Sequence, residues 1–222
     1  MPSVTETLTA WDRVPIACTR FCERPDLEHV GGTKNPDIAR IEELRPDLVV
    51  MDAQENRRED YDALIDRGHT VCVVHIRSLA DVDSSMDDLA SRLGLTWRPI
   101  ELDEPSPTRF RAFVPIWRHP WMALGSPTYG SSMLAQVGVE NVYESEGAYP
   151  AVELHDVRAR RPDVVLAPSE PYPFSVRQMP ELESVAPTYF VDGKDLFWWG
   201  HRTQHALARL GAAIAKIGAA RD

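Results

Sequence analysis

One eight-residue pattern occurs twice in this chain, and it constrains the fold more than any other feature. Residues 45–52 read RPDLVVMD and residues 161–168 read RPDVVLAP. A helix cannot continue through the proline, and the apolar run that follows is typical of a short buried strand. Because an amphipathic segment precedes each copy, each one predicts a helix, a tight turn and a strand. This arrangement is half of a parallel α/β unit.

The segments around the two copies predict further helices and strands. Before the first copy, Asn35 can cap a helix whose first residue is Pro36, and apolar residues recur at helical spacing up to position 44. Before the second copy, residues 149–160 predict the matching helix. Additional strands are predicted at residues 14–18, 70–75, 111–116, 141–143 and 188–191, and additional helices at 58–67, 79–95 and 203–220.

These elements predict an α/β fold with two small lobes, each containing a parallel sheet. A connector helix joins the lobes in this prediction, and a ligand cleft lies between them. The predicted boundaries are an N-terminal α/β lobe at 1–80, a connector of helix plus extended linker at 81–108, a C-terminal α/β lobe at 109–200 and a closing helix at 201–222.

Composition excludes several classes of partner. The net charge of −10 and the absence of a long basic run argue against nucleic-acid binding. No apolar stretch is long enough to span a bilayer, so no membrane span is predicted. The N-terminal sequence MPSVTETLTAWDRV lacks the basic start and apolar core of a secretion signal, and three cysteines suit a reducing compartment. As written, the sequence therefore predicts a cytoplasmic protein.

Aromatic residues are concentrated in the loops that follow the predicted strands, which is where open parallel sheets bind ligands. Their flat rings could stack on a large planar ligand. The alternative is that the rings fill the seam between the lobes. The candidates for ligand binding are Trp117, Trp121, Tyr129, Tyr172, Phe174, Trp198 and Trp199.

Arginines and histidines occupy the same loops. Arg20, Arg57, Arg118 and Arg202 could meet carboxylates or phosphates of a ligand, and the alternative is pairing with the many acids of this chain. His119 is a candidate both for ligand contact and for an axial contact to a chelated metal. His201 and His205 are four residues apart, a spacing suited to a metal on one helical face, although the metal site itself stays open.

Three segments together resemble a known family. They are VGGTKNPDIARIEELRPDLVV, FVPIWRHPWMALGSPTYGSSMLAQVGVENVY, and LAPSEPYPF with DGKDLFWWGHR. In combination and order they resemble the class III periplasmic substrate-binding proteins, or helical-backbone metal receptors, which capture cobalamin, haem and ferric siderophores. The resemblance implies two lobes with ligand between them, and one acidic residue per lobe, here Glu55 and Glu170, that docks on an importer. The family's export signal and first strand would precede MPSVTETL, and neither is in this sequence.

The function predicted from these observations is binding of a large metal-chelate or corrinoid-type ligand, namely cobalamin, haem or a ferric siderophore. The resemblance implies a link to uptake by an ABC importer and its permease, and an extracytoplasmic or periplasmic location if the start omits a signal. The rival interpretation is a cytoplasmic enzyme built on the same fold, although a non-enzyme is favoured because common catalytic motifs are absent. A partner subunit without a ligand is a third possibility.

Overall fold

The computed structural model describes residues 1–220 and contains two compact units, which are described separately. Unit 1 comprises residues 1–76, 80–99 and 199–201, and unit 2 comprises 77–79, 100–198 and the residues from 202 onward. Each unit mixes helices with parallel strands, which confirms the predicted α/β class. The predicted lobe boundaries and the cleft between lobes stay predictions, and residues 221 and 222 of the predicted closing helix lie outside the described residues.

Unit 1 is built from short elements. In chain order they are α1 (Pro2–Ala10), β1 (Ala17–Cys18), β2 (Glu28–His29), β3 (Gly31–Gly32), β4 (Asn35–Pro36), α2 (Ile38–Leu44), β5 (Val49–Asp52), α3 (Arg58–Asp66), β6 (Val71–Val74) and α4 (Ala80–Arg92). Strands β1 and β2 form one parallel pair, β5 and β6 form another, and β3 with β4 forms a small antiparallel hairpin. A core of Ile41, Met51 and Leu64 joins α2, β5 and α3.

The first copy of the repeated pattern folds as predicted, except at the start of its helix. Helix α2 is capped by Asp37, whose carboxylate accepts a hydrogen bond from the Arg40 amide at 2.9 Å. The predicted cap at Asn35 is wrong, because Asn35 and Pro36 belong to the hairpin strand β4. Helix α2 ends at Arg45, which has a left-handed conformation with φ of 47°, and strand β5 follows.

Unit 2 has a larger sheet. Its elements are β7 (Phe110–Phe113), β8 (Pro115–Trp117), β9 (Met122–Ala123), α5 (Tyr129–Gln136), β10 (Val139–Asn141), α6 (Leu154–Ala159), β11 (Val164–Pro168), α7 (Met179–Glu183), β12 (Thr188–Val191), α8 (Gly193–Phe197) and α9 (Thr203–Ala219). Four parallel strands lie in the order β10, β7, β11, β12, so β11 has a partner on both edges. Strands β8 and β9 form an antiparallel hairpin after β7.

The second copy of the pattern provides a central strand of this sheet. Arg161 adopts the same left-handed conformation as its counterpart in unit 1, with φ of 52°, and all five residues of β11 are buried. Helix α6 is shorter than predicted because it begins only at Leu154, after Ala151 has formed a bridge to Met122 of β9 and Glu153 has adopted an extended conformation. Along the chain from residue 1 to residue 220, every helix is too short or too polar to cross a bilayer.

Candidate functional site

Four aromatic side chains meet in the segments that follow strands β7 and β11 of unit 2, and they are called the aromatic cluster below. Trp117 and Trp121 come from the β8–β9 hairpin, and Tyr172 and Phe174 come from the loop after β11. Trp117 meets Tyr172 edge to face with centroids 5.6 Å apart. Trp121 stacks on Phe174 at 5.9 Å with an interplanar angle of 5°, and the Tyr172 and Phe174 centroids are 4.7 Å apart. The structure thus brings four of the predicted ligand-binding residues together, and their role in binding stays a prediction.

The four side chains of the aromatic cluster differ in their solvent exposure. Phe174 is 5% exposed and belongs to the core that contains Val165 of β11, whereas Tyr172 and Trp121 are half-buried against that core. Trp117 is 44% exposed. One end of the cluster is therefore anchored in the core, and the other end is open to solvent. The arrangement offers an aromatic surface with one indole accessible to a flat partner.

Arg118 ties the cluster to helix α7. Its Nη2 and Nε atoms donate to the two carboxylate oxygens of Glu181 at 2.5 and 3.2 Å, and its guanidinium lies 6.0 Å from the Trp121 ring centroid. The hydrogen bond to Glu181, followed by one to Tyr172, raises the pKa of Arg118. The guanidinium is therefore permanently charged, and a ligand carboxylate would have to compete with Glu181 for it.

A second group of contacts surrounds Trp198. The indole Nε1 donates to the Glu170 carboxylate at 3.0 Å, and the ring lies under two cations, Lys194 at 4.9 Å and Arg202 at 5.3 Å. Arg202 in turn donates to the buried Asp195 at 3.0 Å. Trp198 is half-buried, so these contacts fix its orientation and leave part of the ring exposed.

Two of the predicted aromatic residues serve packing. Tyr129 is 5% exposed and its hydroxyl donates to Thr203 Oγ1 at 3.1 Å, while burial raises the pKa of the phenol. Trp199 is 7% exposed. Tyr129 and Trp199 are therefore buried, whereas Trp117 and Trp198 retain exposed surface.

The three histidines proposed as metal ligands are all exposed. His119 has a left-handed backbone with φ of 72°, in the loop between β8 and β9. Within residues 1–220, no group of three or more histidine, cysteine, aspartate or glutamate side chains has the geometry to hold a metal ion. A contact from His119, His201 or His205 to a metal carried by a chelate stays a prediction.

The three cysteines are buried thiols without disulfides. Burial raises the pKa of Cys18 to about 11, and burial also raises the pKa of Cys72 to about 11. Both of these groups are therefore protonated at neutral pH, which makes them poor thiolate ligands.

In unit 1, the predicted residues lie in loops after β1 and β5. Arg20 is exposed, with its guanidinium 5.0 Å from the ring of exposed Phe21. Arg57 is exposed and forms a bidentate pair with Asp60 of α3 at 2.9 and 3.0 Å. Glu55 is exposed, and its carboxylate accepts a long hydrogen bond of 3.4 Å from Thr33. Arginine pairing with acids, which the sequence left open, is thus observed for Arg57, as it is for Arg118 and Arg202.

The acid at the end of β5 has an unusual environment. Asp52 is 3% exposed, and burial raises the pKa of its carboxyl group even though the carboxylate accepts hydrogen bonds from the amides of Gln54 and Glu55. In the sequence, Asp52 is marked only by its position directly after an apolar run that is typical of a buried strand. Sequence reasoning also missed Glu181 as the partner of Arg118, because the two residues are brought together only by the packing of α7 beside the hairpin.

The fold is that of periplasmic ligand-binding proteins, which confirms the resemblance drawn from the sequence. The periplasmic vitamin B12 binding protein BtuF of Vibrio cholerae superposes with a TM-score of 0.73 and 18% identity, covering 98% of this chain and 95% of that one. The periplasmic haem-binding protein BhuT, in complex with two haems, gives 0.76 and 18% identity over 98% of this chain and 96% of that one.

A relative is also found by sequence. The vitamin B12-binding protein of Salmonella typhi is 22% identical in an alignment 188 residues long, and the alignment covers 74% of this chain and 69% of the relative. No family model matches the chain. The structural neighbours are periplasmic and are named as binding proteins. The comparisons therefore do not support the predicted cytoplasmic location, and they do not favour the enzyme interpretation.

Proposed function

We propose that this chain is a non-catalytic binding protein for a large, flat metal chelate of the corrinoid or haem type. The observation that carries the proposal is the accessible indole of Trp117 on the aromatic cluster, at the carboxyl end of a parallel sheet. Similarity to vitamin B12-binding and haem-binding proteins supports it.

The chemistry of the cluster suits such a ligand. A corrin or porphyrin presents an apolar face of the size that stacked aromatic rings cover well, and its edge carries amide or carboxylate groups. Trp117 would cover part of the face. Arg118, beside the cluster, is already held by Glu181, so an acidic edge of the ligand would compete with that carboxylate for the guanidinium.

The test is a titration of the purified chain with cyanocobalamin, haemin and a ferric siderophore, followed by tryptophan fluorescence and by calorimetry. Saturable binding with one ligand, recovered unchanged after incubation, is the expected result. Conversion of the ligand to a product would favour the enzyme interpretation. Failure of all three ligands to bind at micromolar concentrations would overturn the proposal.

We further propose that the protein acts outside the cytoplasmic membrane and delivers its ligand to an ABC importer through Glu55 and Glu170. Glu55 is exposed, and Glu170 is half-buried beside Trp198. Replacement of each by glutamine removes the charge, and the Glu170→Gln side chain keeps an oxygen for the Trp198 hydrogen bond. We expect the double variant to lose stimulation of ATP hydrolysis by a reconstituted importer while it retains ligand binding. The exposed Glu104→Gln serves as the control. Unchanged stimulation in the double variant would contradict the docking proposal.

A further inference from the structure

Two of the three buried cysteines lie close together at the end of strand β1 of unit 1, and they are called the thiol pair below. Cys18 is 5% exposed and Cys22 is 6% exposed, and both are free thiols. Neither is among the residues proposed to bind a ligand or to dock on an importer. One buried cysteine packs as a small apolar side chain, whereas two neighbouring thiols can be joined by oxidation.

The backbone brings Cys22 back to the strand that Cys18 ends. The Cys18 carbonyl oxygen accepts a hydrogen bond from the Val30 amide at 3.0 Å, which holds Cys18 in the parallel pair of β1 and β2. The Cys22 amide donates to the Thr19 carbonyl oxygen at 3.0 Å and closes a tight turn. Such a turn keeps its first and fourth Cα atoms within about 7 Å, so Cys22 returns to the residue that follows Cys18.

The side chains of the thiol pair also act on each other. Burial raises the pKa of Cys18 to about 11, and the next cause is Cys22, which raises this pKa as a nearby charge and as a hydrogen-bonding side chain. A disulfide requires Cα atoms about 4.4–6.8 Å apart, a separation that is compatible with the turn between the two cysteines. The thiol pair is therefore placed to form a cross-link while β1 stays paired with β2.

The two sulfur atoms have different surroundings. The Cys22 Sγ atom lies 3.3 Å from Thr5 Oγ1 and 3.4 Å from Thr19 Oγ1. Hydroxyl groups that donate to sulfur favour the thiolate, which is the form that attacks a disulfide. The Cys18 thiol, with its pKa of about 11, stays protonated at neutral pH. Cys22 would therefore be the attacking sulfur, and Cys18 would complete the cross-link.

The thiol pair borders an opening to solvent. Cys18 and Thr19 line an open groove of unit 1 with a volume of about 510 Å³. The third cysteine offers a comparison, because Cys72 of β6 is 1% exposed and its thiol donates to the Asp88 carboxylate at 3.6 Å. Cys72 is thus as buried as the thiol pair, but it has a carboxylate as its neighbour in place of a second thiol.

We infer that Cys18 and Cys22 form an oxidation site that closes reversibly to a disulfide when the protein meets a small-molecule or protein disulfide. In this exchange the Cys22 thiolate attacks one sulfur of the oxidant and releases one thiol. Cys18 then loses its proton and displaces the second thiol from Cys22, so one disulfide is consumed and one disulfide and two thiols are formed. The pair would be two thiols in a reducing compartment and a cross-link in an oxidising one.

The test equilibrates the full chain in glutathione buffers of graded redox potential, blocks the remaining thiols with N-ethylmaleimide and identifies tryptic peptides by mass. Trypsin cleaves after Arg20, between the two cysteines, so a disulfide joins two peptides that separate only on reduction. The same titration is run on the chain unfolded in urea. Cys22→Ser keeps a hydroxyl that can bond to Thr5 and Thr19 but removes the sulfur, and Cys72→Ser is the matched control.

We expect the joined peptides in the folded wild type and in Cys72→Ser, their absence in Cys22→Ser, and recovery of both thiols with dithiothreitol. The equilibrium constant for closing the disulfide should be at least tenfold larger in the folded chain than in urea, which is a midpoint about 30 mV more negative. Absence of the joined peptides in oxidised glutathione would overturn the inference. A midpoint in the folded chain equal to that in urea would also overturn it, because closeness in sequence alone would then explain the cross-link.

Discussion

The exposed part of Trp117 gives the proposed function its most quantitative test. The substitution is Trp117→Ala. The ring contacts Tyr172 only edge to face, and it is 44% exposed, so its removal leaves the buried part of the aromatic cluster, Phe174 stacked on Trp121, in place. The variant should therefore fold and lose only the accessible indole.

The expected loss of affinity follows from area. A tryptophan buries at most about 250 Å², so the exposed 44% of Trp117 amounts to about 110 Å² that a ligand could cover. At about 25 cal/mol per Å², covering that area contributes up to roughly 2.7 kcal/mol. This corresponds to a rise in Kd of up to about 100-fold, and incomplete coverage reduces it to a few tens of fold.

The measurement is isothermal titration of whichever chelate saturates the wild-type chain. Phe190→Ala is the matched control, because Phe190 has the same exposed fraction of 44% but lies on the edge strand β12 and is not one of the rings of the aromatic cluster. We expect Phe190→Ala to bind like the wild type and Trp117→Phe to recover most of the affinity. If Trp117→Ala binds within about threefold of the wild type, the aromatic cluster is not the ligand surface.

Two further predictions concern stability. Burial raises the folded-state pKa of Asp52 above its unfolded value, so the contribution of Asp52 to the free energy of unfolding is fully present below the unfolded pKa and is lost as pH rises through the folded pKa. Asp52→Asn keeps an oxygen for the backbone amides, and it should raise the melting temperature at about pH 7 and have little effect at about pH 3.5. A melting temperature of the variant below that of the wild type at neutral pH would contradict this prediction. Asp195→Ala should destabilise unit 2 by about 3–5 kcal/mol in urea unfolding, because it removes a 5% exposed carboxylate that pairs with Arg202 and Arg209. The control is Asp192→Ala, which removes only an exposed helix cap and should cost about 1 kcal/mol. Equal losses of stability in the two variants would contradict the argument.

The parts of the fold that follow from local rules could be predicted from the sequence. The proline of each repeated pattern ends a helix, and the apolar run after it forms a strand, because both effects depend on a few neighbouring residues. The prediction for residues 188–191 matches strand β12 in full. The prediction of strand length was less accurate where pairing with a distant segment sets the length. Residues 14–18 are apolar throughout, yet only Ala17–Cys18 pair as a strand, because the partner strand β2 is only two residues long.

The sequence likewise predicted only part of the candidate site. The rule that ligands meet the carboxyl ends of parallel strands selected Trp117, Trp121 and Tyr172, and these rings lie close together, although ligand binding by them stays a prediction. The rule could not distinguish those rings from Tyr129, which begins helix α5 and is buried against Thr203. Exposure of an aromatic side chain depends on which elements pack on it, and a single sequence does not record that packing.

The two copies of the repeated pattern show why burial, unlike strand formation, requires the neighbours. Fully burying a valine contributes about 1.5–3 kcal/mol relative to exposure. Val164 and Val165 are fully buried between β7 and β12, so each contributes this whole free energy of burial. Val49 and Val50 are half-buried and contribute only part of it. Two equally apolar strands thus contribute different amounts to stability. Unit 1 should therefore unfold at a lower urea concentration than unit 2.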